Sequence, residues 1–181
     1  MAQDKWSQDC YIRAYKFSAN AHRGQMVPGT DISYIMHLSF VSMEVIAALN
    51  SEPSRDENLA VQCALLHDVI EDADVSYQQV MDEFGNAVAD GVFALSKDKK
   101  MAKHLQMTDS LQRIRRQPPE IWMVKLADRI TNLQPPPSDW SKEKIERYKT
   151  EAVEILNALG EASNFLFSRL REKINAYNIH E

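Results

Sequence analysis

The stretch Cys63–Asp72, CALLHDVIED, decides how the chain is read. Its first half is apolar, as in a helix buried in a protein interior. Four ionisable groups, His67, Asp68, Glu71 and Asp72, then fall within six positions. Taking His67 as zero on a helix that advances about 100° per residue, Glu71, Asp68 and Asp72 fall at about 40°, 100° and 140°. Cys63, Leu65, Leu66, Val69 and Ile70 cover the opposite arc, and the small Ala64 leaves room beside the charges. Buried and unpaired, such carboxylates cost several kcal/mol each or stay protonated. A divalent cation resolves the conflict, because adjacent His and Asp side chains can converge on one ion while Glu71 and Asp72 handle a water. A solvent-exposed acidic patch is the other reading of the same arc.

Two further segments weigh on that choice. In MVKLADRITNL, Leu126, Ile130 and Leu133 form a core stripe, while Lys125, Asp128 and Asn132 share another face. Asp128 is thus a carboxylate inside an apolar segment, where an unpartnered one is unexpected. In SYIMHLSF, His37 stands among Tyr34, Ile35, Met36 and Leu38. Alone, His37 reads as a hydrogen-bonded core histidine, and Asp128 as a helix cap or an arginine partner. Together they make a set of His, then His-Asp, then a distant Asp, each on a separate helix. Two imidazoles and two carboxylates suit Mn²⁺, Fe²⁺ or Zn²⁺ with room left for water.

The rest of the chain carries the helical period almost throughout. Trp6, Cys10, Ala14, Phe17 and Ala21 recur at steps of three or four, and Gly24, Pro28 and Gly29 break the loop RGQMVPGTDIS that follows. NLAVQCALLHDVIED reads as one helix. Ser76 with Gln79 forms a capping box, Pro118 and Pro119 introduce EIWMVKLADRITNL, and the prolines 135 to 137 end it. Ser141 caps the next helix, which Gly160 closes. No alternating strand pattern and no internal repeat is present. The expectation is an all-α, compact bundle of roughly eight to ten helices, built as a single domain over residues 1–181.

With 44% hydrophobic and 26% charged residues and only five glycines, the composition is that of a soluble globular protein. A net charge of −5 argues against nucleic acid as a partner but leaves room for a small anionic ligand. No apolar run reaches the roughly 18 residues of a membrane span, and the charged start lacks a signal core. Cys10 and Cys63 are isolated, which points to a cytoplasmic location. A homo-oligomer is compatible with all of this.

The order H…HD…D is that of the HD-domain phosphohydrolases, and the match narrows further. AHRGQ, SYIMH, ALLHDVIED, FGNAVADGVFALSKDK and VKLADRITNL resemble the hydrolase domain of the RelA/SpoT family in its stand-alone, small alarmone hydrolase form, over about Ala19 to Tyr148. That resemblance implies an all-α, Mn²⁺-dependent enzyme that removes the 3′-pyrophosphate of ppGpp-type nucleotides. It implies His37, His67, Asp68 and Asp128 as metal ligands, and Glu71 and Asp72 as the pair that positions and activates the attacking water. It further implies Asn132 as a nucleotide contact, Lys103 as a phosphate contact and Tyr148 as a nucleoside contact.

The chain departs from the family where the base is held. The family's Arg-Lys pair after AHRGQ is replaced by Met26 and Val27, PGTDISY stands for a shorter Gly-x-Pro-Tyr, and Leu38 for a proline. Adenosine alarmones of the ppApp type are therefore an alternative to guanosine ones. Two rivals stand beside this reading: an HD phosphohydrolase acting on another nucleotide, such as a deoxynucleoside monophosphate, and a module that binds alarmones without cutting them.

Overall fold

The computed structural model of the protein describes residues 6–51, 54–136 and 140–177. Among the described residues ten α-helices follow one another: α1 (Gln8–Ala21), α2 (Ile35–Leu49), α3 (Glu57–Leu66), α4 (Val69–Asp72), α5 (Tyr77–Phe84), α6 (Asn86–Leu95), α7 (Lys103–Ile114), α8 (Pro119–Asn132), α9 (Lys142–Leu159) and α10 (Asn164–Ala176). A 3-10 turn, Gly160–Ala162, joins the last two. Among the described residues there is no strand. The expectation of an all-α bundle of eight to ten helices is met.

The helix ends have local causes. Asp56 accepts the Leu59 N–H, Ser141 that of Lys144 and Ser163 that of Leu166, while Ser76 and Gln79 complete their capping box. Pro119 occupies the first turn of α8, where its missing N–H removes no helical bond. Of the proline run after α8, Pro137 lies outside the described residues, as does the charged start at 1–5. At Gly160, just past α9, a Cβ would stand 2.5 Å from Phe167 Cδ2, so this close approach requires glycine.

Two helices form the centre. In α3 every residue from Leu59 to Leu66 is buried, and in α8 every residue from Glu120 to Thr131 except Trp122 is. A helix apolar nearly all round must be covered on all sides. Helices α1, α2, α6 and α8 pack around α3, and α2, α9 and α10 around α8. The buried carboxylate of Glu44 in α2 takes two bonds from Arg169 of α10, at 2.5 and 2.6 Å.

Three local differences from the sequence reading matter. NLAVQCALLHDVIED is not one helix: α3 stops at Leu66, and α4 restarts after a turn at His67 and Asp68. The Ala64 carbonyl, which in a continuous helix accepts the Asp68 N–H, lies 2.8 Å from His67 Nδ1. The loop after α1 is a small hairpin, with an antiparallel bridge between Met26 and Ser33. The stripe of α1 is deepest at Ala14 and Ser18, and Trp6 precedes the helix, its N–H donating to Glu57.

Candidate metal centre and active site

The break after α3 turns His67 into the interior, where only 3% of the residue is exposed. Across from it stand His37, in the first turn of α2, and Asp128, in the penultimate turn of α8. His37, His67 and Asp128 bring one ligand atom each to within 4.8 Å of one another. Asp128 Oδ1 is 3.5 Å from His37 Nε2 and 3.9 Å from His67 Nε2. Asp68 joins them: its Oδ2 lies 3.0 Å from His67 Nε2 and 3.7 Å from His37 Nε2. The three separated motifs therefore meet at one point.

The surroundings hold these groups in place. Asp128 Oδ2 accepts from Lys125 Nζ at 2.9 Å and Oδ1 from Asn132 Nδ2 at 2.5 Å. Thr131 Oγ1 donates to the Asp128 carbonyl and lies 3.5 Å from His37 Nδ1. Tyr34 donates its hydroxyl to Asp68 Oδ2 at 2.5 Å.

The donor set fits a divalent ion. His67 Nε2 is fully buried and lacks a hydrogen bond of proper geometry, although two carboxylates stand near it. A lone pair aimed into a cluster of carboxylate oxygens is the arrangement a cation completes. The electrostatics agree. Burial disfavours a charge on His67, yet Asp68, Asp128 and the Ala64 carbonyl outweigh it and lift the imidazole to about 9. Burial likewise opposes ionisation of Asp68 and Asp128. The charge of His67 holds the first well below the usual carboxylate range, and Lys125 with the two histidines does so for the second. Without a metal, the cluster retains a proton in the place of a cation.

Glu71 and Asp72 sit on the short helix α4 beside this cluster, and the Asp72 N–H donates to the Asp68 carbonyl at 2.8 Å. The segment after α6 grips both acids. The Lys97 N–H donates to Glu71 Oε2 at 2.8 Å, while Lys99 Nζ donates to the Glu71 carbonyl at 2.6 Å and to Asp72 Oδ1 at 2.8 Å. Beside them opens a cleft of about 640 Å³, lined among others by Glu71, Phe93, Lys97, Lys99, Lys100 and Met101.

The remaining expected residues divide. Asn132 reaches the cluster directly. Lys103 is exposed at the start of α7 and makes no hydrogen bond or ion pair with the cluster among the described residues. Tyr148, half-buried in α9, has the Arg129 guanidinium 4.4 Å from its ring centroid and Trp140 at 5.4 Å. Sequence reasoning passed over Tyr34, counted only as an apolar neighbour of His37, and over Lys97 and Lys99. The phenol was the available signal, since a tyrosine hydroxyl entering a core usually finds a partner.

Comparison with known proteins agrees with this geometry. Residues 14–163 match the family model described as HD domain. The mouse guanosine-3′,5′-bis(diphosphate) 3′-pyrophosphohydrolase MESH1 is 27% identical over 166 residues, covering 89% of this chain and 90% of its own. The human protein of that name is 28% identical over 153 residues, covering 82% and 83%. An Aquifex aeolicus guanosine-3′,5′-bis(diphosphate) 3′-pyrophosphohydrolase is 29% identical over 79% of this chain, which corresponds to 20% of that longer protein. In fold, a solved metazoan ortholog of SpoT superposes with a TM-score of 0.81 over 98% of this chain and 100% of its own, at 24% identity. On these grounds the chain belongs to the HD-domain family.

Proposed function

We propose that the protein is a metal-dependent 3′-pyrophosphohydrolase of purine alarmones, acting as a single hydrolase domain with Mn²⁺ as its ion. One observation carries the reading: His37, His67, Asp68 and Asp128, from three separate segments, converge on the orphaned Nε2 of a buried histidine. The relatives that match nearly end to end, named as guanosine-3′,5′-bis(diphosphate) 3′-pyrophosphohydrolases, support the substrate class. The free thiols of Cys10 and Cys63 support a cytoplasmic location. Among the described residues no helix is long and apolar enough to cross a membrane.

His37, His67, Asp68 and Asp128 would hold the ion. Once bound, a divalent ion polarises a phosphoryl oxygen and makes water more acidic. A dication together with Lys125 would offset the two carboxylates of Asp68 and Asp128. Glu71, fixed through Oε2 by the Lys97 N–H, keeps Oε1 for a water, and Asp72 stands ready to share the proton. Water attacks the phosphorus attached to the 3′-oxygen and the P–O3′ bond breaks. The 3′-oxygen takes up a proton, and pyrophosphate leaves with the attacking oxygen. A nucleoside with its 5′-phosphates remains. Asn132 meets the nucleotide beside Asp128, Lys103 supplies an exposed cation for phosphate, and Tyr148 contacts the nucleoside.

The base is held without the cationic pair of related enzymes. Met26 and Ile32, both exposed on the hairpin, offer apolar surface that any purine face accepts. Guanosine and adenosine 3′-pyrophosphates are both proposed as substrates. Incubation with Mn²⁺ and each of the two, with a deoxynucleoside monophosphate alongside, tests the reading by chromatography of the products. Pyrophosphate from the first two is expected. Orthophosphate from the monophosphate alone would favour the other HD reaction, and tight binding without turnover a sensor.

A further inference from the structure

Tyr34 stands where two parts of the molecule meet. Its backbone N–H donates to the Gln25 carbonyl at 3.0 Å, closing the hairpin in which Val27 donates to the Ile32 carbonyl at 2.8 Å. The other leg is fastened by His22, whose Nδ1 lies 2.7 Å from Gln25 Oε1. The Tyr34 ring packs on His22 and His37, with centroids 5.0 and 5.3 Å away. Its hydroxyl ends on Asp68 Oδ2.

We propose that Tyr34 is a positioning residue that holds Asp68 for the ion and couples occupancy of the metal centre to the order of the hairpin at 25–34. The proposal rests on the metal-centre reading above. Hydrogen bonds to a ligating carboxylate remove its rotational freedom before the ion arrives, and losing such a partner typically lowers metal affinity about 10–100-fold. The coupling follows from where the other end of Tyr34 is anchored. Tyr34 holds the hairpin through its backbone N–H and Asp68 through its hydroxyl, so a displacement of Tyr34 disturbs both. Anything that fixes Asp68 therefore makes that displacement rarer, and by linkage an ordered hairpin strengthens binding of the ion. Because Met26 and Ile32 ride on this hairpin, the metal would also prepare the surface proposed for the base.

The test uses the full chain, Tyr34→Phe and Mn²⁺ alone as the probe. The substitution keeps the ring and its packing and removes one oxygen. Mn²⁺ affinity, followed by electron paramagnetic resonance, is expected to fall about 10–100-fold in the variant. Amide hydrogen exchange at residues 26–33 is expected to slow when Mn²⁺ binds the wild type, and to respond little in the variant. A Kd within twofold of wild type, or metal-dependent protection that survives in the variant, would overturn the proposal. Should Tyr34→Phe fail to fold, the wild-type exchange experiment still decides it: a hairpin indifferent to bound Mn²⁺ refutes the coupling. Wild-type protein that binds no Mn²⁺ would overturn the metal-centre reading and this proposal together, which is a different result from a wild type that binds and a variant that binds equally well.

Discussion

Lys125 Nζ lies 2.9 Å from Asp128 Oδ2, and both side chains are buried. One oxygen of Asp128 is thereby neutralised, and the other is left to face His37 and His67. Breaking a buried pair by removing one partner costs about 3–5 kcal/mol, because the remaining charge has no solvent to turn to. Lys125→Met should accordingly lower the urea midpoint of the metal-free protein strongly. Saturating Mn²⁺ should restore more stability to the variant than it adds to wild type, since the ion supplies the missing positive charge. Equal midpoints in metal-free buffer would show that Asp128 does not depend on Lys125.

The histidine at the centre predicts a pH dependence. His67 rises from its ordinary 6.5 to about 9 in the folded, metal-free protein. A group raised on folding contributes stability that is fully present below its unfolded value and is lost as the pH climbs through its folded one. The metal-free protein should lose stability between about pH 6.5 and 9, with both aspartates ionised throughout. The depressed carboxyls of Asp68 and Asp128 act at the other end: their contribution is present above about 4 and disappears as the pH falls through their folded values. Metal binding requires neutral His67, so Mn²⁺ affinity should increase over the same alkaline window. Urea titrations at several pH values, with chelator and with Mn²⁺, check both signs. A metal-free midpoint flat across the alkaline window would show that His67 is not charged in the fold.

Helical periodicity made most of the architecture legible. Each buried face of α3 and α8 is built from residues close in sequence, and caps such as Ser76 with Gln79 are decided within one turn. The convergence of His37, His67, Asp68 and Asp128 was legible for a different reason, since charged residues in apolar helices need partners. What escaped depends on contacts between distant segments. The turn at His67 and Asp68 interrupts an otherwise regular apolar pattern, and no periodicity registers the competition for the Ala64 carbonyl. Tyr34 looks apolar by its neighbours, and only the packing of α2 against α3 brings its hydroxyl to Asp68. Lys97 acts through its backbone N–H, which no side-chain pattern reports.

The grip on the two acids separates metal binding from chemistry. Glu71→Gln and Asp72→Asn leave all four proposed ligands in place, so bound metal should match wild type. Turnover should drop by roughly 10² or more, the scale of lost acid–base assistance. Lys99→Met frees Asp72 and removes a donor from the end of α4, and should change kcat while sparing the metal. Metal analysis with steady-state kinetics on the same preparations checks all three. Unaltered turnover in both acid variants would make the pair structural.

The proposed selectivity for the base turns on the hairpin. The RelA/SpoT resemblance implies an Arg-Lys pair there, where this chain has Met26, 47% exposed, and the half-buried Val27. Without side-chain donors at these positions no base edge is read from this side, and stacking alone distinguishes purines poorly. A hydrogen bond to a base is worth on the order of 1–3 kcal/mol when its loss leaves a buried group unpaired, and about 1.4 kcal/mol is a tenfold preference. Guanosine and adenosine 3′-pyrophosphates should therefore be cleaved with kcat/KM values within about tenfold of each other. Introducing the pair, as Met26→Arg with Val27→Lys, should raise the guanosine preference by tenfold or more, with the metal ligands left in place. Matched kinetics of wild type and double variant on both nucleotides measure the shift directly. A wild-type guanosine preference above about a hundredfold would place the discrimination in the backbone of the hairpin instead of its side chains.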